Sequence, residues 1–330
     1  MGDTLWATPA VRAIKKKIPD INIDLLVQPQ WIPLFKENKN FRNLIPYYSK
    51  WYSQFLLLPT IIKYTYDHVF IFHANNDISR ILPFLRTSSI WSHQYPDSIP
   101  GVSESKIIHP KKPMHGINRR KAMLEKIHIP SDGTHMDIYL SNDDKEKAKL
   151  FLRQNNLKSK NFIYLNIGGS VPHKQLPIKK FIQLSDDILK KTTLSIVLGG
   201  GPEDKIRVDD IGTQLGNTKR VIKASHRSII ENCALIYNSR ILITPDSGPM
   251  HIGYALKVPT IGLFWSVNSQ GIQRNELNGP DYCGPLDIGK SLHSELSGTF
   301  IDSENIHNEK SLALKPITVE DIWNEIIRFM

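Results

Sequence analysis

The feature that most constrains this chain is its alternation of short apolar runs with helical periodicities. In the second half, FIYLNIG (162–168) is followed by LPIKKFIQLSDDILKK (176–191), and LSIVLGGG (194–201) by EDKIRVDDIGTQLG (203–216). RVIKA, HRSIIENCALIYNS (226–239), RILITPD (240–246), GPMHIGYALK and VPTIGLF continue the rhythm. Apolar runs of five to seven residues bounded by glycine or proline fit strands buried on both faces, and the periodic segments between them fit covering helices. A βαβα order of this kind predicts a parallel sheet with helices on both sides. The first half repeats it less cleanly. Helices are expected over PAVRAIKKKIPD (9–20), HGINRRKAMLEKIH (115–128) and SNDDKEKAKLFLRQNN (141–156), and strands over INIDLLV (21–27), HVFIF (68–72) and SKIIHP (105–110). With 330 residues, one sheet per half is expected, the polar stretch 129–144 connecting them. Residues 266–314 read as irregular, and TVEDIWNEIIRFM (318–330) as a terminal helix capped by Thr318 with Asp321 three residues on.

Composition narrows the class. No apolar run approaches the roughly 18–20 residues of a membrane span. The two cysteines, Cys233 and Cys283, carry no metal-ligand spacing and no disulfide framework, and no secretory signal is visible, so the expected location is the cytoplasm. The net charge is +10, and residues 1–150 hold 21 Lys+Arg against 14 Asp+Glu. A basic half suits an acidic partner, whether nucleic acid, an anionic lipid surface or a phosphorylated substrate. No helix-turn-helix, zinc or aromatic-basic module supports nucleic acid.

Chemistry concentrates at the expected strand ends. In TPDSGPMHIGYALKVPTIGLFW (244–265), a strand runs into Asp246 and a helix opens near Ser247. Ligands of open parallel sheets bind beyond the carboxyl ends of the strands, and a helix start there offers N–H groups and a positive dipole end to an anion. Gly248 allows close approach, Ser247 adds a hydroxyl, and His251 sits one turn on. An isolated D-S-G at a helix start is ordinarily no more than a cap. Two further strand ends carry matching features, however. NIGGSVPHKQLP (166–177) places Lys174 where an ammonium meets a diphosphate, and VLGGGPEDK (197–205) places Glu203 where a carboxylate accepts ribose hydroxyls. Neither G-x-G-x-x-G nor a G-x-x-x-x-G-K-[ST] loop is present. The three loops together point to one nucleotide diphosphate. Near the amino terminus, Gly2-Asp3 precedes an expected helix beginning between Thr4 and Pro9, where Asp3 is either a cap or a carboxylate aimed across an interdomain cleft.

These segments, in this order, resemble glycosyltransferase family 9, the lipopolysaccharide heptosyltransferases. GDTLWATPAVRAIKKKIPD is similar to the family's Gly-Asp loop and first helix, HKQLP to its lysine segment with Leu176 in place of the usual tryptophan, and LGGGPED to its glycine-rich strand end. TPDSGPMHIGYALKVPTIGLF is similar to its most characteristic motif. The resemblance implies an α/β fold of two Rossmann-like doubly wound domains facing a cleft (GT-B type), with residues 1–155 binding acceptor and 156–330 binding nucleotide sugar. It implies an inverting, metal-independent heptosyl transfer without a cofactor, from ADP-heptose to an anionic, phosphorylated lipid-linked core acceptor, and peripheral contact with the inner membrane. By position, Asp3 is the implied general base. Lys174, Ser247, Gly248 and His251 hold the diphosphate, Glu203 the ribose, and Asp246 organises the site. Arg80, Arg86, Arg119 and Arg120 are the expected acceptor contacts. A different nucleotide sugar, a nucleotide-sugar epimerase, or an inactive nucleotide-sugar-binding protein are the alternatives. Family members carry an apolar strand ahead of the Gly-Asp loop, whereas this sequence opens at Met1-Gly2. The first sheet is therefore expected to lack that strand and to show a gap with unpaired backbone groups.

Overall fold

The computed structural model describes residues 1–73, 76–93, 101–109, 114–169, 174–216, 218–264, 279–286, 292–298, 314 and 316–330. The chain divides into two compact units, Met1–Tyr139 and Leu140–Met330. The division falls ahead of the expected boundary at 155/156. Helix α6 (Asn142–Gln154), capped by a Ser141–Asp144 capping box, packs on helix α9 (Ile229–Asn238), with Arg227 of the preceding turn 4.4 Å over the Phe151 ring.

The second unit holds a six-stranded, all-parallel sheet in the order β10-β9-β8-β11-β12-β13. Its strands are β8 (Phe162–Asn166), β9 (Ser195–Gly199), β10 (Val221–Lys223), β11 (Ile241–Pro245), β12 (Thr260–Phe264) and β13 (His293–Ser297). Every residue of β8, β11 and β12 is buried, as continuous apolar runs require when helices cover both faces. The covering helices are α7 (Ile178–Lys191), α8 (Lys205–Gln214), α9, α10 (Gly248–Ala255) and the terminal α12 (Val319–Phe329), which follows the short α11 (Pro280–Cys283). Phe181, Leu184 and Ile188 of α7 and Ile322 and Ile326 of α12 join Ile163, Leu165, Ile196 and Ile243 of the strands in one core. The strand order reverses between β8 and β11, which makes their carboxyl ends the switch point of the sheet. Strand β13 was not expected. It lies inside the stretch read as irregular, and its HSELS sequence carries no apolar signal of its own; pairing with β12 makes it a strand.

The first unit is also parallel α/β, but its strands form three separate short sheets: β1 (Asp24–Val27) with β2 (Asn43–Pro46), β3 (Thr65–Tyr66) with β5 (Arg86–Thr87), and β4 (Val69–Phe70) with β6 (Ile90–His93) and β7 (Ile107–Ile108). Helix α2 (Thr8–Lys17), with Pro9 in its first turn and three lysines in its last, packs Ala10, Ala13 and Ile14 on Leu124 of helix α5 (Gly116–Glu125). Residues Asp24–Val27 and Val69–Phe72 both line a cavity of about 950 Å³ whose walls include Ala7, Val11 and Ile14. The carbonyls of Ile23 and Val27 accept from β2, and the N–H groups of Val69 and Ile71 donate towards β6. In a parallel ladder the intervening residues turn their polar groups the other way, so the main chain of Leu26 and of Phe70 points from each pair's open edge. Among the described residues no helix is long and apolar enough to cross a membrane.

Candidate active site

In the second unit the site grows from the ends of β8, β9 and β11. Asn166 ends β8 in register with Gly199, and its amide Nδ2 is a hub: it donates to Gly168 O (3.1 Å), Thr244 Oγ1 (3.0 Å) and Ser247 Oγ (3.2 Å). The Ser247 hydroxyl donates to Pro245 O at 3.1 Å and so is turned towards the strand ends, although Ser247 occupies the N-cap position of α10. The cap role expected of a D-S-G is therefore replaced by a polar cluster seated on the switch point. Lys174 Nζ lies 3.0 Å from Asp246 Oδ2, both largely withdrawn from solvent. His251 is buried one turn into α10, edge-on to Tyr254 at 6.0 Å, and Tyr254 packs on His293 of β13 at 4.4 Å. The structure thus brings Lys174, Asp246, Ser247, Gly248 and His251 to one strand-end region.

Glu203 is exposed in a short 3-10 turn after β9, and a Cβ on Gly201 would stand 2.4 Å from its carboxylate oxygens. Its neighbour Asp204 is the residue that sequence reading undervalued. Asp204 is buried, accepts from the Gly201 N–H at 2.9 Å, and lies so close to the β8 loop that a Cβ on Gly168 would fall 2.0 Å from its Oδ2. Burial raises the Asp204 carboxyl above the ordinary range, against the opposing Gly201 hydrogen bond. The glycines of NIGG and LGGG thus make room for a buried carboxyl as well as for turns. Leu176 is fully buried in the core, so its identity bears on packing.

In the first unit Asp3 lies within a helical turn, α1 (Gly2–Leu5), and not just before one. Its carboxylate is about half exposed and stands 4.0 Å from His73 Nδ1, while its carbonyl accepts from Arg120 Nη2 at 2.8 Å. Arg120 also donates to Gly116 O at 2.8 Å, and its guanidinium lies over the Trp6 ring at 5.4 Å and the Phe72 ring at 5.8 Å. Trp6 comes this close because residue 116 is glycine: a Cβ there would sit 2.2 Å from the indole. Burial pulls Arg120 down to about 10, with Asp3 opposing. A fully buried guanidinium whose donors meet main-chain carbonyls holds the Asp3 turn in place. Arg119 is buried beside it, Arg80 is exposed and ion-paired with Asp77 at 3.2 Å, and Arg86 is exposed on β5.

His93 is buried near this pair of arginines, with Nε2 3.3 Å from Phe72 O. Burial first, then Arg120 and Arg119, push it down to about 4. A histidine kept neutral in the fold but free to charge near 6.5 when unfolded makes the unfolded state bind more protons in that window. Stability should therefore fall as pH drops from about 6.5 towards 4, by up to about 1.4 kcal/mol per pH unit from this residue. Denaturant titrations of His93→Phe across that range are expected to show a shallower slope than the parent chain; equal slopes would remove His93 as the source.

A parallel α/β architecture with a polar cluster at the switch point of its six-stranded sheet defines the class of folds that bind a ligand beyond the carboxyl ends of their strands. The signature of glycosyltransferase family 9 (heptosyltransferase) matches residues 86–275, more than half the sequence. The chain belongs to glycosyltransferase family 9 and is a glycosyltransferase. Lipopolysaccharide heptosyltransferase 3 of Escherichia coli K12 is 26% identical over 275 residues, covering 80% of this chain and 79% of the relative. The family 9 glycosyl transferase of Veillonella parvula DSM 2008 superimposes with a TM-score of 0.80 at 20% identity, covering 99% of this chain and 93% of that one. The E. coli heptosyltransferase WaaC with ADP gives 0.75 at 15% identity, over 100% and 97%.

Proposed function

We propose that this chain moves a heptose from ADP-heptose to a phosphorylated, lipid-linked lipopolysaccharide core acceptor, with inversion at the anomeric carbon. The carrying observation is the polar cluster at the ends of β8 and β11, where Asn166, Thr244 and Ser247 are linked and Lys174 pairs with Asp246 at the mouth of α10. The name of the E. coli relative and the ADP complex of WaaC support this choice of donor and acceptor class.

In this reading the acceptor hydroxyl oxygen bonds to the anomeric carbon as the bond from that carbon to the diphosphate breaks. The hydroxyl proton passes to the Asp3 carboxylate, and the electron pair leaves with ADP. Charge gathers on the diphosphate, where the Lys174 ammonium and the amino-terminal dipole of α10 oppose it. Asp246 holds the ammonium, Ser247 and Gly248 line the approach, His251 stands one turn behind, and Glu203 takes the ribose hydroxyls. Of the arginines, Arg80 and Arg86 remain exposed for acceptor phosphates.

A charge-assisted contact is worth about 1.5–3 kcal/mol, so Lys174→Ala should weaken ADP binding roughly 10–100-fold in calorimetry; it also leaves the buried Asp246 carboxylate without its ammonium, so the melting temperature should fall as well. An unchanged affinity would take Lys174 out of the donor site. Release of ADP and not UDP from a panel of nucleotide sugars, in the presence of acceptor, tests the donor; no release from any of them would leave only a binding protein.

A further inference from the structure

Arg120 buries a charge whose described hydrogen bonds all go to main-chain carbonyls. Its side chain is 1% exposed. It bends back to Gly116 O in the first turn of its own helix and crosses to Asp3 O in α1, each at 2.8 Å. The rings of Trp6 and Phe72 lie beside the guanidinium at 5.4 and 5.8 Å, and a Cβ on residue 116 would push the indole away. Burying a charge is costly, and arginine is rarely buried without a charged partner. An apolar side chain of similar volume ordinarily fills such a space as well or better. The charge therefore has work beyond packing.

The group it acts on is the carboxylate of the residue whose carbonyl it holds. Asp3 favours the protonated guanidinium, and the guanidinium in turn favours the ionised carboxylate. Burial shields this pair from solvent screening on the arginine side. The other titratable groups around Asp3 are the Met1 amino group in the same turn, His73 beyond β4 at 4.0 Å, and Arg119 and His93 beside Arg120. Of these side chains the two arginines carry a charge throughout the working pH range, and Arg120 is bonded to Asp3 itself. We propose that Arg120 is the positioning residue of the general base: its grip on the Asp3 carbonyl fixes the α1 turn, and its buried charge keeps the Asp3 carboxylate ionised and ready to take a proton. This rests on the role proposed above for Asp3.

The carbon-13 shift of the Asp3 carboxyl, followed against pH in the full chain, reads this ionisation without turnover. In the parent it should titrate at a lower pH than in the urea-unfolded chain, because a nearby cation favours the ionised form. Arg120→Gln keeps an amide donor and loses the charge; it should raise that midpoint by at least about 0.5 pH unit, whereas Arg120→Lys, which keeps the charge, should leave it within about 0.2. The acid limb of kcat/KM for ADP-heptose should move by the same amount. A purely structural clamp would lower the rate equally at every pH and leave both midpoints in place. An unmoved carboxyl midpoint in Arg120→Gln overturns the proposal. So does a parent midpoint no lower than in the unfolded chain, which decides the matter if that variant does not fold. A carboxyl midpoint that moves while the acid limb stays, or an acid limb that survives in Asp3→Asn, would remove Asp3 as the base and the proposal with it.

Discussion

Asp3→Asn is expected to lower turnover about 10²–10⁴-fold, the usual contribution of the general base proposed for this residue, while ADP binding stays as it was. The amide keeps the shape of the side chain and removes its ability to take a proton. The carboxylate also faces His73 and supports the charge of the buried Arg120, so the melting temperature is read beside the turnover. The Asp3 carboxylate is about half exposed and is fixed through its own carbonyl, which accepts from buried Arg120, and through the α1 turn. Lys174, Asp246 and Ser247 all lie in the other compact unit, so an unchanged ADP affinity confines the loss to the first unit, and an unchanged melting temperature separates a lost base from a damaged fold. Turnover within a factor of two of the parent would remove Asp3 from the mechanism.

The second large effect is at Gly168. A Cβ there would lie 2.0 Å from the buried carboxyl of Asp204, and that carboxyl is held in turn by the Gly201 N–H. Overpacking of this kind costs about 1–3 kcal/mol, or a melting temperature lower by roughly 2–12 °C for a unit of this size. The strain also reaches the cluster at the switch point, because the Gly168 carbonyl accepts from the Asn166 amide that serves Thr244 and Ser247. Gly168→Ala should therefore lose ADP affinity by at least about tenfold together with stability. Removing the obstruction should return part of both: Gly168→Ala in an Asp204→Ala background should cost less than in the parent, a coupling of at least about 0.5 kcal/mol. Strict additivity in calorimetry and in thermal melts would show that the two residues do not meet.

Much of the second unit was legible before any coordinates. Its central strands are buried on both faces, so each apolar run announces a strand without help from its neighbours, and the helices between them keep their own periodicity. The loops after β8, β9 and β11 also stood out, because strand ends carrying Gly, Asp, Ser and Lys interrupt an otherwise apolar pattern. The first unit was harder to read. β2 lies in NLIP, where a proline closes a four-residue strand, and the helical turns over 51–61 expose apolar side chains where a surface helix ordinarily shows polar ones.

The sequence alone determined the alternation of parallel strands and helices through most of the second unit, the family to which the motifs belong, and which strand ends carry Gly, Asp, Ser and Lys. These are local: periodicity, turn chemistry and helix starts act over a few residues. Tertiary structure alone decided that α6 belongs with the second unit, that HSELS is a strand, and that Asn166 links the ends of β8 and β11. It also decided that Asp204 fills the space left by Gly168, and that Arg120 turns inward to hold Asp3. Each of these depends on which segments become neighbours across tens of residues, and the same arginine or aspartate reads as surface until a facing carbonyl, ring or glycine is brought against it.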